Sequence, residues 1–247
     1  MKTIKVVTML LLLAVFGVGY AYASVVRLAL IDYSDFREIE NNVYISKFLP
    51  SDAGQKTLAL LKSARQRISV KYGSPDAQPV TIVLGDKQEQ DRYGLNGHPG
   101  TFMFTPWGGY LLLAFEKADI DVTAHELVHA EIFSRVGYLK RQFKIPTWFD
   151  EGAAMQVDFR EKYMSSNTIS QADFAYVINL DNPAKFWGGD KNKNIENYRK
   201  SKAAVAELFL STDEALYSLL EKIRHGEDVV IATAANETNK ALQRTSR

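Results

Sequence analysis

The sequence predicts an α+β protein, with a small mixed sheet and helices in its N-terminal part and a helical C-terminal half. Two observations lead to this fold class. Short β-rich runs occur before about residue 118, and from residue 120 onward apolar residues recur at helical spacing. The length of 247 residues suits one domain or two apposed lobes, because a single hydrophobic core stops growing at about 250–300 residues. We expect an α/β lobe at residues 24–118 and a helical lobe at 119–247.

The elements follow in order along the chain. A turn-like stretch at residues 105–109 separates two β-rich runs, which predicts a hairpin. Residues 185–197 are polar and glycine-rich, which favours a mobile loop. We predict β-rich segments at 25–31 and 43–48, a helix at 52–72, strands at 79–84, 101–104 and 110–115, and helices at 120–137, 147–163, 171–179, 195–211, 213–225 and 228–243.

The composition limits the classes of partner and of site. With 46% hydrophobic and 24% charged residues, the chain resembles an average soluble globular protein. Its net charge of +1, without basic clusters, argues against a nucleic-acid partner. Because the chain contains no cysteine, it can form neither disulfides nor thiolate metal ligands. Any metal site must therefore use His, Asp and Glu.

The first residues have the layout of a secretory signal peptide. Lys2 and Lys5 precede an apolar run at residues 6–22, which ends in Ala-Tyr-Ala before Ser24. We expect residues 1–23 to be a signal peptide. The alternative is an uncleaved signal anchor, since residues 6–26 are just long enough to span a bilayer. Either arrangement predicts an extracytoplasmic protein, periplasmic or secreted, with a membrane tether in the second case.

A metal-binding motif lies in the predicted helix at residues 120–137. His125, Glu126 and His129 form the pattern HExxH. Residues four apart share one helix face, so both imidazoles can reach one zinc ion while Glu126 serves as general base. The alternative is a helix whose histidines bind no metal. The longer pattern HExxHxxGxxH is excluded, because Ile132 stands where glycine is needed and Arg135 where the third histidine is needed.

A catalytic zinc site normally has three protein ligands, and the best third candidate is Glu151. It lies 22 residues after His129 at the start of the next predicted helix, a spacing that fits an antiparallel helix pair. Asp150 and Glu131 are the rivals. Glu131, two residues after His129, points to another side of its helix. Asp150 is better suited to supporting a ligand or to capping the helix.

These segments resemble a known group of enzymes. The run HELVHA at residues 125–130, followed by PTWFDEGAA at residues 146–154, resembles the gluzincin metallopeptidases, whose pattern is HExxH plus a glutamate on the next helix. The resemblance covers residues 120–160 and implies a zinc metallopeptidase that acts on peptide or protein substrates. The glycine, methionine, glutamate, asparagine motif of the aminopeptidases in this group has no counterpart before His125, so the resemblance does not imply aminopeptidase specificity. We expect an endopeptidase if residues 110–115 form an exposed sheet edge along which an extended peptide can bind.

The same resemblance implies a role for Tyr198. The stretch at residues 197–201 is similar to the helix start that carries a catalytic tyrosine in gluzincin aminopeptidases, where the hydroxyl stabilises the tetrahedral intermediate. The alternative is a tyrosine that only packs at a helix start. His225 is a distant second candidate for this role, and a place at a helix end is sufficient to explain it. His98 reads as a loop residue.

Other functions remain compatible with these residues. The protein could be a scaffold that keeps the zinc fold without chemistry, or a hydrolase of a non-peptide amide bond. Glu126 favours catalysis, because a structural zinc site needs no general base. If residues 110–115 form an exposed sheet edge, an extended peptide substrate can pair along them.

Overall fold

The protein is described by a computed structural model that covers residues 23–164, 168–212, 215–227 and 230–245. Within these ranges it has the expected α+β architecture, a mixed sheet followed by a helical C-terminal half. The strands are β1 (Phe36–Glu40), β2 (Val43–Ser46), β3 (Val80–Leu84), β4 (Gly100–Thr105) and β5 (Gly108–Ala114). The helices are α1 (Ala23–Ala29), α2 (Ala53–Tyr72), α3 (Lys87–Arg92), α4 (Ile120–Lys144), α5 (Thr147–Ala154), α6 (Gln171–Val177), α7 (Pro183–Trp187), α8 (Lys191–Thr212), α9 (Leu216–Arg224) and α10 (Val230–Thr245).

The sheet has the strand order β1-β2-β3-β5-β4. Strands β2, β3 and β5 are parallel, and the two outer strands run antiparallel to their neighbours. The predicted hairpin is confirmed: β4 pairs with β5 from Gly100 opposite Leu113 to Thr105 opposite Gly108. The two edges of the sheet are β1 and β4, and β4 is the edge that contacts α4. Residues 110–114 lie in β5, between β3 and β4, so the suggestion that this segment is a free edge is wrong.

Two hydrophobic clusters cover the two faces of the sheet. Along β5, Leu111 and Leu113 face the helical cluster that contains α2, α4 and α5, while Tyr110 and Leu112 face a smaller cluster beneath α1. This alternation follows from the period of two residues in a strand. Both faces are covered because the central strands are parallel and apolar.

The N-terminal segment differs from the prediction. Residues 25–31, predicted to be β-rich, form α1 and the start of a short 3-10 turn. A short and mostly apolar run, interrupted here only by Arg27, does not by its periodicity distinguish a strand from a buried helix. Here the helix buries Leu28 completely against the smaller cluster, which decides the conformation. The predicted signal peptide falls almost wholly on residues 1–22, outside the described ranges.

Helix α4 extends further than predicted, to Lys144. Asp119 caps its start by accepting a hydrogen bond of 2.8 Å from Val122 N–H. Gly137, where the predicted helix ends, has a φ of 77°, and the helical path changes direction there before continuing. Only glycine adopts this conformation without strain, so the helix divides into a half that carries the HExxH motif and a second half that borders the cavity.

Two other boundaries were wrong. The helix predicted at residues 147–163 ends at Ala154, and the chain then turns through Met155–Val157 and brings Asp158 back towards α4. The predicted loop at 185–197 is largely helical. Asn182 caps α7 by accepting from Lys185 N–H at 3.1 Å, and Asp190 accepts from Asn192 N–H and Lys193 N–H at the start of α8. Capping hydrogen bonds therefore stabilise helices here, although the polar, glycine-rich composition favours a loop. No helix within the described ranges is long and apolar enough to cross a membrane.

Candidate metal centre

The two histidines of the HExxH motif direct their Nε2 atoms towards a common point. His125 Nε2 and His129 Nε2 lie 3.2 Å apart on the buried side of α4. Both residues are almost fully buried, with 5% and 6% of their surface exposed. The geometry follows from the spacing of four residues, which places the side chains one above the other on a helix.

Glu151 reaches the same spot from α5. Its Oε2 lies 3.3 Å from His125 Nε2, and its Oε1 lies 3.6 Å from His129 Nε2. Helix α5 packs closely on α8 at Gly152, where an added Cβ would lie 2.4 Å from the carbonyl oxygen of Ser201. This close approach requires glycine and fixes the position of the adjacent glutamate.

The donor atoms of the three residues are close enough to share a metal ion. One ligand atom from each of His125, His129 and Glu151 lies within 4.8 Å of the others. Ligands at about 2.0–2.1 Å from a tetrahedrally bound zinc are separated by about 3.3–3.4 Å, and the two Nε2 atoms are 3.2 Å apart, while the two Glu151 oxygens each approach one imidazole, Oε2 at 3.3 Å from His125 and Oε1 at 3.6 Å from His129. All three residues are buried, and Glu151 Oε2 accepts no hydrogen bond within the described part of the chain. A buried carboxylate oxygen of this kind is costly unless a cation satisfies it. His125, His129 and Glu151 can therefore hold a metal ion.

A carboxylate lies close to the Nδ1 atom of each of the two histidines. Asp150 Oδ1 lies 2.9 Å from His129 Nδ1, and Asp158 Oδ2 lies 3.5 Å from His125 Nδ1. Such carboxylates orient a metal-binding imidazole and raise its basicity. Asp150 thus takes the supporting position, while the capping alternative is wrong because Pro146 occupies the N-cap of α5. Asp158 was not predicted, because its proximity to His125 depends on the early end of α5.

Two arginines balance part of the buried negative charge of the site. Arg141 pairs with Asp150, and Arg160 pairs with Asp158. Burial alone would lower the pKa of His125, but the carboxylates of Asp158 and Glu151 raise that pKa to about 10. Burial tends to raise the pKa of Asp158, yet His125 and Arg160 hold that pKa well below its usual value. The site therefore has a surplus of negative charge that attracts a cation, either a proton or a metal.

Glu126 lies beside the triad and contacts the edge strand. Its Oε2 accepts a hydrogen bond of 2.8 Å from the main-chain N–H of Phe102 in β4. The strand approaches α4 this closely because residue 100 is glycine: an added Cβ would lie 2.7 Å from Val122 Cγ1. Glu126 is half-buried, whereas the three ligand residues are buried.

A cavity of about 730 Å³ opens over these residues. One wall is β4 with the loop before it, the floor is formed by α4 and α5, and the other wall comes from α7 and α8. Tyr198 lines this cavity, with its ring centroid 6.4 Å from that of His125. Burial and the carboxylate of Glu151 raise the pKa of Tyr198 well above its usual value, so its hydroxyl keeps its proton at neutral pH. His98 also lines the cavity. It lies in the loop before β4, as expected, but its place at the cavity was not predicted.

The remaining sequence candidates lie away from the cavity. His225 is exposed at the end of α9 and contacts Glu221 through its Nε2 at 2.9 Å. Glu131 points away from the two histidines, as expected, and accepts hydrogen bonds from the N–H groups of Asp76 and Ala77. Arg141, which the sequence analysis did not single out, lines the cavity from the second half of α4.

The fold and the site define an α+β protein with a buried His-His-Glu cluster that can hold a metal ion. Comparison with protein-family models, with curated proteins and with solved structures found no match. The resemblance to gluzincins accordingly depends on the residues of α4 and α5 themselves.

Proposed function

We propose that the protein is a zinc-dependent metallopeptidase that cleaves within peptide chains. The observation that carries this proposal is the buried triad of His125, His129 and Glu151 with a separate carboxylate, Glu126, beside it in an open cavity. A structural metal site is usually closed by four protein ligands and has no use for a neighbouring base. Three ligands with a base and space for a substrate favour hydrolysis.

Zinc is the metal that suits this ligand set. Two imidazole nitrogens and one carboxylate are the ligands of well-known catalytic zinc sites, whereas magnesium and calcium favour sites made of oxygen ligands. A bound zinc ion supplies Lewis acidity: it lowers the pKa of water to about 7 and polarises the carbonyl that is attacked. Asp150 and Asp158 hold the two imidazoles in the orientation that binding requires.

In the proposed reaction Glu126 carries out the proton transfers, and Tyr198 stabilises the negative charge that develops. Glu126 accepts a proton from the attacking water as the new C–O bond forms, and delivers it to the amine nitrogen as the C–N bond breaks. Negative charge develops on the former carbonyl oxygen. Tyr198, whose hydroxyl stays protonated on the other wall of the cavity, donates a hydrogen bond to that oxygen.

An extended peptide chain is the proposed substrate, and β4 is the surface that would bind it. This strand is an edge of the sheet and lines the cavity through Gly100, Phe102 and Phe104. The N–H of Phe102 points away from β5 and donates to Glu126. Alternate residues of an edge strand direct their main-chain groups to the same side, so those of Gly100 and Phe104 are the groups that would pair with a peptide. A peptide that adds to this edge runs past the metal triad in both directions, which suits an endopeptidase.

The test combines metal content with hydrolysis of a mixed peptide library. Wild type and Glu126→Gln are compared, with His125→Ala as the variant that should lose the metal. We expect zinc in wild type and in Glu126→Gln, with cleavage by wild type alone and a loss of at least about 100-fold in Glu126→Gln. Zinc in both with no cleavage by either would favour a scaffold or a non-peptide amide substrate. An absence of zinc from wild type would remove the basis of the proposal.

We propose an extracytoplasmic location as well. It depends on the sequence alone: Lys2 and Lys5, the apolar residues 6–22 and the small residues before Ser24. Sequencing the N-terminus of the protein from its native host tests this. A mature chain that begins at Ser24 supports export with cleavage, an intact chain in the membrane fraction supports a tether, and an intact chain in the cytosol contradicts both.

A further inference from the structure

The hydroxyl of Tyr198 has a fixed hydrogen-bond donor. Trp187 Nε1–H donates to the Tyr198 hydroxyl oxygen over 3.0 Å, and both side chains line the cavity. An indole N–H can only donate, so the tyrosine oxygen must be the acceptor in this bond. The hydroxyl proton is therefore left to donate to a different group.

The ring of Tyr198 is confined by its neighbours. Its centroid lies 5.1 Å from that of Tyr163 and 5.1 Å from that of Phe186, with tilted and edge-on geometries. Contacts of this kind favour the observed position of the ring. With the ring held, rotation about the C–O bond is the main freedom of the hydroxyl, and the indole N–H restricts that rotation.

A buried amide holds the backbone beside Trp187. Asn197, which is 1% exposed, donates from Nδ2 to the Phe186 carbonyl oxygen over 2.7 Å and accepts from the Tyr176 hydroxyl over 2.9 Å. The first bond joins α7 to α8, and the second joins α6 to α8. The Trp187 side chain is 41% exposed, and its indole N–H contacts the Tyr198 hydroxyl without any substrate bound. A donor that is in place before the reaction is what preorganised stabilisation of a transition state requires.

We infer that Trp187 is a positioning residue, whose indole N–H orients the Tyr198 hydroxyl so that it donates into the cavity. This inference rests on the proposed function, because it assigns Trp187 a role through the oxyanion donor of that reaction. It concerns the chemical step more than substrate binding, since the hydrogen bond from Tyr198 gains strength as negative charge develops.

The test is a double-mutant cycle with Trp187→Phe and Tyr198→Phe, measured as kcat and KM on the peptide that wild type cleaves best. Phenylalanine at position 187 keeps an aromatic wall and removes the donor. We expect Trp187→Phe to lower kcat about tenfold, with a smaller change in KM. Tyr198→Phe should lower kcat about 100-fold or more. In the Tyr198→Phe background, Trp187→Phe should cause no further loss, because the hydroxyl that it orients is gone.

A matched control exists on the other face of the sheet. Trp107 Nε1–H donates to the Tyr110 hydroxyl over 3.1 Å, an indole-to-phenol bond of the same kind away from the cavity. Trp107→Phe removes this bond and should leave kcat and KM at their wild-type values. The chain has three tryptophans, so the indole N–H resonances can be assigned by nuclear magnetic resonance from the two Trp→Phe variants. The Trp187 resonance should move when Tyr198 is replaced by phenylalanine.

The outcomes separate this inference from the proposed function. If wild type cleaves no peptide, the proposed function fails and the role of Trp187 fails with it. If wild type is active but the two substitutions reduce kcat additively, or Trp187→Phe changes only KM, Trp187 is a substrate-binding or structural residue and the inference is overturned. An unmoved Trp187 resonance in Tyr198→Phe would also overturn it.

Discussion

Glu126 Oε2 accepts a 2.8 Å hydrogen bond from the main-chain N–H of Phe102, which joins the proposed general base to the free edge of the sheet. The donor is backbone, so no side chain at position 102 is needed for this bond. The contact links the two surfaces that a peptide substrate would meet, the edge strand and the metal-bearing helix. Glu126 is therefore oriented by the strand along which the substrate would lie.

This bond predicts an unusual effect of proline at position 102. Phe102→Pro removes the N–H, and an edge strand tolerates proline where the N–H points away from its neighbour. Phe102→Ala removes the ring and keeps the N–H. We expect Phe102→Pro to lower kcat about tenfold relative to Phe102→Ala, since Glu126 loses its orienting partner. Steady-state kinetics with thermal melts of both variants measure this, and equal kcat values would show that the bond does not orient the base.

Two carboxylates should control metal affinity without touching the metal. Asp150→Asn and Asp158→Asn keep the shape of the side chain but weaken the support of His129 and His125. We expect each to weaken zinc binding about 10–100-fold. Titration against a competing chelator measures the affinity, with the exposed Asp35→Asn as control. If both variants bind zinc within twofold of wild type, the carboxylates serve only the ion pairs with Arg141 and Arg160.

Gly152 should be required for the placement of Glu151. In Gly152→Ala the new Cβ would meet the Ser201 carbonyl oxygen at 2.4 Å, so α5 must move away from α8. Forcing extra volume into a packed contact costs about 1–3 kcal/mol, or about 2–4 °C in Tm per kcal/mol. Gly108→Ala is the control, because a Cβ there meets nothing within 4 Å. A normal Tm with normal zinc affinity in Gly152→Ala would contradict the close contact.

Metal removal should destabilise the whole protein. A ligand present at a thousand times its Kd stabilises the folded state by about 4 kcal/mol, which corresponds to a Tm increase of roughly 8–16 °C for a chain of this size. We therefore expect a chelator to lower the Tm of wild type and zinc to restore it. In His129→Ala the Tm should no longer respond to zinc. The same Tm for wild type with and without zinc, as measured by calorimetry, would argue against a metal held by these buried residues.

Much of the fold was predicted because its signals are local. The hairpin between β4 and β5 follows from a turn-forming stretch between two apolar runs, and the helix at residues 53–72 follows from apolar residues at helical spacing. Predictions failed where the local composition was compatible with more than one conformation, or where other contacts outweighed it. Residues 25–31 pack as a helix because the sheet face beneath them buries Leu28, and residues 191–197 are helical because Asp190 caps α8.

The sequence by itself was sufficient to predict the three candidate metal ligands. His125 and His129 share a helix face by the geometry of the backbone, and Glu151 follows at a distance that a helical hairpin closes. Only the tertiary structure decided which strand is the free edge, that Asp158 supports His125, and that Trp187 donates to Tyr198. The physical reason is the distance along the sequence between the residues that come into contact. The spacing of residues within one helix fixes side-chain directions, whereas contacts between elements distant in sequence depend on how the whole core packs.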